Sequence, residues 1–519
     1  MQQGGRRPVD DDSDVLDERL AAAVPDAART VLRVGAGPGA LAAILGRRDP
    51  APAVHEVLPL DPDGEDPPGE PGSVDCIVYA GVVPRMADPV AVLRRHRDLL
   101  APGGTIVCSV PNVQHHAVVR TILRGALPYV PGTLVEPGAR RLYAAADVVQ
   151  VLLDAGYAPD TVGRLEDATT GAGAVLAAGA PLFELLGVGT KDAERDLGTA
   201  WLVVRGTPLP AVDDTDETPL TFVACVNDDA QLEANLARSP CLRDGVHELL
   251  VFRDAASAAE GLNAGMARAR HPFVVLVHQD VYLPEGWPAR MVAQWRSASS
   301  QGGPVGIAGV FGVKDRRVPF DATGRVVHRD RLLDHRRLPT DVDGLDEVLM
   351  VVPKDTPLRV DPALGWHLYG TDLALQAQQR GLRAVVVDAP CHHNSLTGRV
   401  PVHYRRSERV LARKWEAMLP IHTNLSSIDS WLLGPDDDGD GVPPADDGRG
   451  RDGAGGEARD GGGADAEVAA LVARLRREQV ALNGELEQAR LRVASMQASP
   501  FWRAREAYAA LRSRLARRR

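Results

Sequence analysis

Three stretches of the chain carry side chains able to hold a cation or move a proton. Pro272 to Asp280 reads PFVVLVHQD, an apolar run that stops abruptly at His278, Gln279 and Asp280. Further on come GWHLYGTDLAL, which contains Asp372, and DAPCHHN, which contains His392 and His393. A run such as FVVLV is read as a buried parallel strand, and such strands deliver the residues after them to the carboxyl edge of the sheet, where open α/β folds bind ligands. Asp280 is therefore expected to face a cleft, where a carboxylate can hold a divalent cation. His392 and His393 come after the strand-like RAVVVDAP, and neighbours on a strand point to opposite faces, so at most one of them can reach the same ion. For either one, a hydrogen-bonded structural role is the competing reading. Asp372 falls in the first turn of a helix expected to start near Thr371 and end at Gly381, where the helix dipole favours a carboxylate. Capping and proton transfer are both open to it on local sequence.

The elements around these residues must place them at one edge. LTFVACVND is a strand ending in Asn227 and Asp228, HELLVFRD a second strand ending at Asp254, and AAEGLNAGMARARH a helix, containing Asn263, that leads into the Asp280 strand. In this order, from Leu220 to Leu432, the chain resembles family-2-type glycosyltransferases of the GT-A nucleotide-diphospho-sugar fold. The resemblance implies a nucleotide pocket lined by Asn227, Asp228, Asp254 and Asn263. It implies Mn²⁺ or Mg²⁺ at Asp280 with His392 or His393, an imidazole ligand suiting Mn²⁺ better than Mg²⁺. It also implies that Asp372 takes the acceptor's proton, with inversion at the anomeric centre of a hexosyl-type transfer. Expulsion of a nucleoside diphosphate needs positive charge near the leaving group, and a positioned base contributes roughly 10²- to 10⁴-fold. Trp366, His367 and Tyr369 are expected to wall the acceptor site, since an aromatic face stacks on a sugar ring. The sequence departs from the family where an Asp-x-Asp triplet is usual: here it is His278, Gln279, Asp280.

The region before Pro208 reads as a separate α/β unit. TVLRVGAGPGALAAIL sets Gly35, Gly37 and Gly39 in a strand-to-helix turn, where glycines let backbone approach a cofactor closely. With SVDCIVYAGVVPRMADPVAVLRRHRDLLAPGGTIVCSVPN and RLYAAADVVQVLLDAGY, it resembles class I S-adenosylmethionine methyltransferases. That resemblance implies a cofactor held by Gly35, Gly37, Gly39 and Glu56. Arg33 stands where the family usually has an acid, and the interval from Gly39 to Asp75 is too short for the usual strand, helix and strand, so a trimmed, degenerate domain kept for docking or stability is the competing expectation.

In a chain of 519 residues, a hydrophobic content of 44% is enough to bury two sizeable cores. Five cysteines without CxxC spacing read as reduced thiols rather than a zinc site. A formal net charge of -11 argues against nucleic-acid partners. MQQGGRRPVDDDSDV has no apolar segment of a secretory signal, and GAGAVLAAGAPLFELLGVG is too interrupted to span a bilayer. The expected organisation is a Rossmann-like methyltransferase-type domain at 1–207, an acidic linker at 208–219, and a GT-A domain at 220–432. A Gly/Asp-rich disordered linker comes next at 433–465 and a helical, coiled-coil basic tail at 466–519. The tail FWRAREAYAALRSRLARRR has seven Arg against one Glu, which suits an anionic membrane surface, pairing with the acidic linker or a solvated helix end; the heptad-spaced segment before it suits self-association. The whole reads as a cytoplasmic glycosyltransferase, peripheral at the inner face of the cell membrane if its tail binds there. It would move a sugar from a nucleotide-diphosphate donor to a glycan or lipid-linked acceptor in bacterial surface-glycan assembly. Two alternatives stand beside it: a methyltransferase with a glycan-binding GT-A half, and a non-enzymatic assembly scaffold.

Overall fold

The computed structural model describes residues 10–35, 39–57, 67, 69–166, 171–185, 188–211, 218–319, 321–329, 331–335, 338–395 and 404–433. The chain divides by compactness into Met1–Asp436 and Asp437–Arg519. The expected Gly/Asp-rich linker, but for Leu433 and Gly434 at its start, and the whole of the coiled-coil basic tail fall in the second unit or beside it, and from 434 onward they lie outside the described residues. Among the described residues no helix is long and apolar enough to cross a membrane.

The first sheet is built from β1 (Thr30–Gly35), β2 (Ala53–Val57), β3 (Val74–Ala80), β4 (Leu100–Pro111), β5 (Tyr157–Glu166) and β6 (Thr199–Pro208). Its order is β2-β1-β3-β4-β6-β5, parallel from β2 to β4 and antiparallel at β6 and β5. Both faces of its centre are covered, which is why β3 is apolar on both faces. Ile77 and Tyr79 of β3 enter one core while Cys76 and Val78 enter the other. Between the end of β1 and β3 the described residues supply one five-residue helix, Leu41–Leu45, and one strand. That agrees with the short interval in the sequence.

Downstream run β7 (Leu220–Val226), β8 (Glu248–Arg253), β9 (Phe273–Val277), β10 (Val281–Tyr282), β11 (Val305–Gly309), β12 (Phe311–Val313), β13 (Ala322–His328), β14 (Arg331–His335), β15 (Thr340–Asp341), β16 (Gly344–Leu345), β17 (Leu349–Pro353), β18 (Arg383–Val386) and β19 (His392–His393). Seven form a sheet in the order β15-β18-β11-β17-β9-β7-β8, whose β7, β8 and β9 are mutually parallel. Val274 and Leu276 of β9 enter one of its cores and Val275 and Val277 the other. A smaller sheet, β10-β19-β13-β12-β16 with β14 on β13, lies just past the end of β9. The order reverses at β7, between β8 and β9, so a crevice opens beyond their carboxyl ends.

The two sheets' domains meet beside that crevice. Val149 and Leu153, on the Ala145–Asp154 helix, pack on Val327 of β13. Tyr282 donates its hydroxyl to the Asp154 carboxylate at 2.9 and 3.0 Å, and Arg329 pairs with Asp192 at 2.7 Å. Burial pushes Asp154 up to about 6, against the opposing hydrogen bonds from Tyr282 and the Glu285 backbone. An unfolded aspartate titrates near 4, so the native chain holds the extra proton between about pH 4 and 6. The stabilisation from protonated Asp154 is therefore complete below about pH 4 and lost as pH rises through 6. Asp154→Asn, which mimics the protonated acid, should remove a pH-dependent loss on the order of 2 kcal/mol between pH 4 and 7. Urea unfolding at several pH values checks this, and parallel wild-type and mutant curves would contradict it.

Candidate functional site

β9 ends at Val277, and the chain turns through His278, Gln279 and Asp280 before pairing again as β10. Strand β19 lies between β10 and β13 in a register that sets Val281 opposite His393 and His328 beside His393. The Asn394 N–H donates to the Asp280 carbonyl at 2.8 Å and locks this register. As a result His393 Nε2 stands 3.3 Å from Asp280 Oδ1, while its Nδ1 stands 3.3 Å from His328 Nδ1. His278 completes the group, with its ring 5.6 Å from that of His393 and its Nε2 3.4 Å from the Tyr369 hydroxyl. One ligand atom each from His278, Asp280 and His393 lie within 4.8 Å of one another.

This arrangement fits a divalent cation. Two ligand atoms on a common ion at bond lengths of about 2.0–2.2 Å are separated by roughly 3 Å, close to the Asp280–His393 spacing. The donors also carry the right protonation. Burial works to raise Asp280, but the His393 hydrogen bond and the neighbouring imidazoles hold it down at about 2, so it is a carboxylate. Burial lowers His278, partly offset by the charge of Asp280, and burial with His393 and Arg329 lowers His328, so both favour the neutral form.

The neighbouring adjacent histidine does not join them. His392 points to the opposite face, its Nε2 2.6 Å from the Arg329 carbonyl, and burial pushes it down to about 4. The alternation expected of two strand neighbours holds, and it gives His393 to the cluster and His392 to the interior. His278 is not among the expected ligands because it stands where an aspartate is usual; His328 gives no local signal, being brought in only by β13 pairing with β19.

On the donor side, Gln279 ties the end of β7 to the end of β9. Its Oε1 accepts from the backbone N–H groups of Asn227 and Asp228 at 3.0 and 3.1 Å, and its Nε2 donates to Asn227 Oδ1 at 2.6 Å. Asp228 caps the Asp229–Ala234 helix by accepting from Ala230 and Gln231. Asp254 comes after β8 in the left-handed region at φ 56 and is exposed. These three sit at the crevice edge. Asn263 does not: its amide bonds the Val360 backbone in both directions, at 2.8 and 3.0 Å, and clamps that segment to the core. The expectation of a donor-binding role for Asn263 is corrected accordingly.

Asp372 also departs from expectation. The helix starts at Tyr369, and Asp372 is fully buried, receiving Trp415 Nε1 at 2.8 Å, Gln376 Nε2 at 2.7 Å and Lys414 Nζ at 2.9 Å. A carboxylate enclosed by three donors has no open path to an external hydroxyl. The acids that line the neighbouring cleft are Asp346 and Glu347. A cleft of about 290 Å³ is lined by Asp346, Glu347, Thr371, Tyr404, Thr423 and Asn424, among others. Burial and then the charge of Asp346 push Glu347 up to about 8, against backbone hydrogen bonds from Gly370, Leu368 and Tyr369 at the helix start. Trp366 is 44% exposed and open to stacking, whereas His367 packs its ring 5.3 Å from that of Tyr404, and Tyr369 is buried with its hydroxyl on His278.

In the first domain the turn after β1 shows what its glycines accommodate. A Cβ on Gly35 would lie 2.8 Å from the Arg33 guanidinium, and one on Gly39 would lie 2.6 Å from both Arg33 and the Asp17 carboxylate. Asp17 also accepts from Ala40 N–H at 2.6 Å. Gly37 lies outside the described residues, and Glu56 is exposed on β2 opposite Arg33 on β1.

Comparison with known proteins agrees with this division. Residues 221–414 match the model of a glycosyltransferase-like family, and residues 11–162 match that of a methyltransferase domain. A Fuscovulum blasticum protein described as ATP synthase subunits region ORF 6 is 28% identical over 229 residues, 41% of this chain and 91% of that protein. Among solved structures, an S-adenosylmethionine-dependent methyltransferase from Archaeoglobus fulgidus is 12% identical, covering 38% of this chain and 94% of that one at a TM-score of 0.27. Another, from Mesorhizobium loti, is 16% identical, covering 37% and 96% at 0.22. A methyltransferase domain supports S-adenosylmethionine binding; Arg33 and Asp17 lie against the space over Gly35 and Gly39, and residues 36–38 between these glycines lie outside the described residues. The chain therefore joins two transferase-type domains, an N-terminal methyltransferase domain followed by a glycosyltransferase-like domain of the family-2 kind.

Proposed function

We propose that the protein transfers a sugar from a nucleoside-diphosphate donor to a hydroxyl acceptor, with inversion, in the assembly of a bacterial surface glycan at the cytoplasmic face of the membrane. The observation that supports this best is the convergence of His278, Asp280 and His393 beyond the end of β9, next to the crevice edged by Asn227, Asp228 and Asp254. A divalent ion bound there, Mn²⁺ or Mg²⁺, would neutralise the charge that develops on the departing diphosphate. Gln279 fixes the spacing between the nucleotide side and the cation side, since one side chain bonds both strand ends.

The acceptor then belongs in the cleft lined by Glu347, Thr371 and Tyr404, which adjoins the cation cluster through Tyr369. Trp366, half exposed nearby in sequence, offers an aromatic face for a sugar ring. Glu347 replaces Asp372 as the group that accepts the acceptor's proton: it opens on the cleft, and an acid pushed up to about 8 is a stronger base than an ordinary carboxylate. Asp372 instead holds Lys414 and Trp415 against the helix, and so shapes the floor of the site. The methyltransferase domain, through Asp154 and Asp192, braces Tyr282 on β10 and Arg329 just after β13, beside the cluster.

Calorimetric titration with UDP, GDP and dTDP in the presence of Mn²⁺ should show one nucleotide binding to the wild type and at least tenfold weaker binding to Asp280→Ala. No binding of any nucleotide would sink the donor-site reading. Glu347 must be ionised to act, so transfer should rise about tenfold per pH unit and level off above about pH 8. Glu347→Gln should cost roughly 10²- to 10⁴-fold in turnover and abolish that limb while leaving nucleotide affinity intact. Asp372→Asn should show its effect chiefly in unfolding, by about 1–3 kcal/mol, and retain the pH limb.

A further inference from the structure

His328 touches the cation cluster but is not among the three residues whose ligand atoms converge. Its Nδ1 lies 3.3 Å from Nδ1 of His393, and the other nitrogen of His393, Nε2, faces Asp280. A single imidazole cannot offer both nitrogens to one ion, so the side of His393 turned toward His328 is the side turned away from the ion. One of the two Nδ1 atoms must carry the proton for that contact to be a hydrogen bond. If His393 carries it, as a bound ion would require, His328 accepts through its own Nδ1 and the Nε2 lone pair of His393 is free for that ion; in the ion's absence Nε2 donates to Asp280 instead. The Tyr369 hydroxyl stands in the same relation to Nε2 of His278, at 3.4 Å, and leaves Nδ1 of that ring for the ion.

We propose that His328 is the positioning residue that selects the metal-binding tautomer of His393, and that the resulting two-nitrogen, one-carboxylate donor set takes a first-row transition-metal dication in preference to Mg²⁺. The inference rests on the reading of His278, Asp280 and His393 as a cation site and adds to it which ion the site prefers and which residue prepares it. The chemistry is that of ligand type. Magnesium favours oxygen donors and retains its waters, whereas manganese, cobalt and zinc accept imidazole, and their affinity for such sites rises from manganese to cobalt. Replacing the first carboxylate of a two-aspartate arrangement by His278 moves the site in that direction. A partner on the distal nitrogen of a ligating histidine raises its basicity and fixes its ring, and losing such a partner typically costs 10- to 100-fold in metal affinity.

The test titrates the chlorides of Mg²⁺, Mn²⁺, Co²⁺ and Zn²⁺, with no nucleotide present, into the metal-stripped full chain by calorimetry. His328→Phe keeps a packed ring without a nitrogen, and His328→Gln keeps an acceptor. The wild type should bind Mn²⁺ and Co²⁺ at least tenfold more tightly than Mg²⁺. His328→Phe should lose 10- to 100-fold toward Mn²⁺, and His328→Gln should recover most of that loss. Nitrogen couplings in the pulsed paramagnetic resonance of the Mn²⁺-loaded wild type should report two imidazoles, falling to one in His393→Ala. Equal affinity for Mg²⁺ and Mn²⁺, or His328→Phe binding like the wild type, overturns this inference and leaves the cation site standing. Absence of any ion binding in the wild type overturns the cation site itself.

Discussion

The site depends on one register: β19 paired between β10 and β13. That pairing puts His393 opposite Val281, one residue beyond Asp280, and beside His328, the last residue of β13. A slip of one residue would reverse the two faces, presenting His392 to Asp280 and turning His393 into the interior. Short strands have little of their own to resist such a slip. The register is held instead by groups outside the ladder: Asn394 N–H on the Asp280 carbonyl, and His392 Nε2 on the Arg329 carbonyl. Arg329 is itself in the left-handed region at φ 57 and pairs with Asp192 of the first domain.

How much was legible in the sequence depends on which forces are local. FVVLV reads as a strand because both of its faces are covered, and Asp280 is then an edge residue; both statements need only nearby residues. The opposite orientation of His392 and His393 needs only the two-residue period of a strand. The missing parts each depend on chain brought in from far away. His328 enters through strand pairing with β19, and Asp372 is sealed by Lys414 and Trp415 on the next helix and turn. A first-turn aspartate looks the same in sequence whether the groups above it are a substrate or a lysine. Glu347 likewise resembles any acid before a strand until the start of the Tyr369–Gln379 helix is folded over it.

Asn263 illustrates the same limit. A polar residue inside an otherwise small-residue helix next to a ligand crevice invites a binding role. The fold uses it to satisfy both backbone groups of Val360, a buried residue that lies outside the strands. Leaving those groups unmet would cost as much as a ligand contact gains, so the structural use takes precedence.

The first domain can be understood from the same standpoint. Arg33 and Asp17 lie over Gly35 and Gly39, while Asp154 and Asp192 reach Tyr282 on β10 and Arg329 just after β13. A buried arginine is costly unless a carboxylate compensates it, and Asp17 lies close enough to do so for Arg33 on β1. The reach of Asp154 and Asp192 matters to the second domain, because Tyr282 lies on β10, the strand at the edge of its sheet next to β19, and Arg329 comes just after β13. An apolar seam of Val149, Leu153 and Val327 accompanies the Tyr282–Asp154 and Arg329–Asp192 contacts. These contacts support the strands on whose register the choice between His392 and His393 rests.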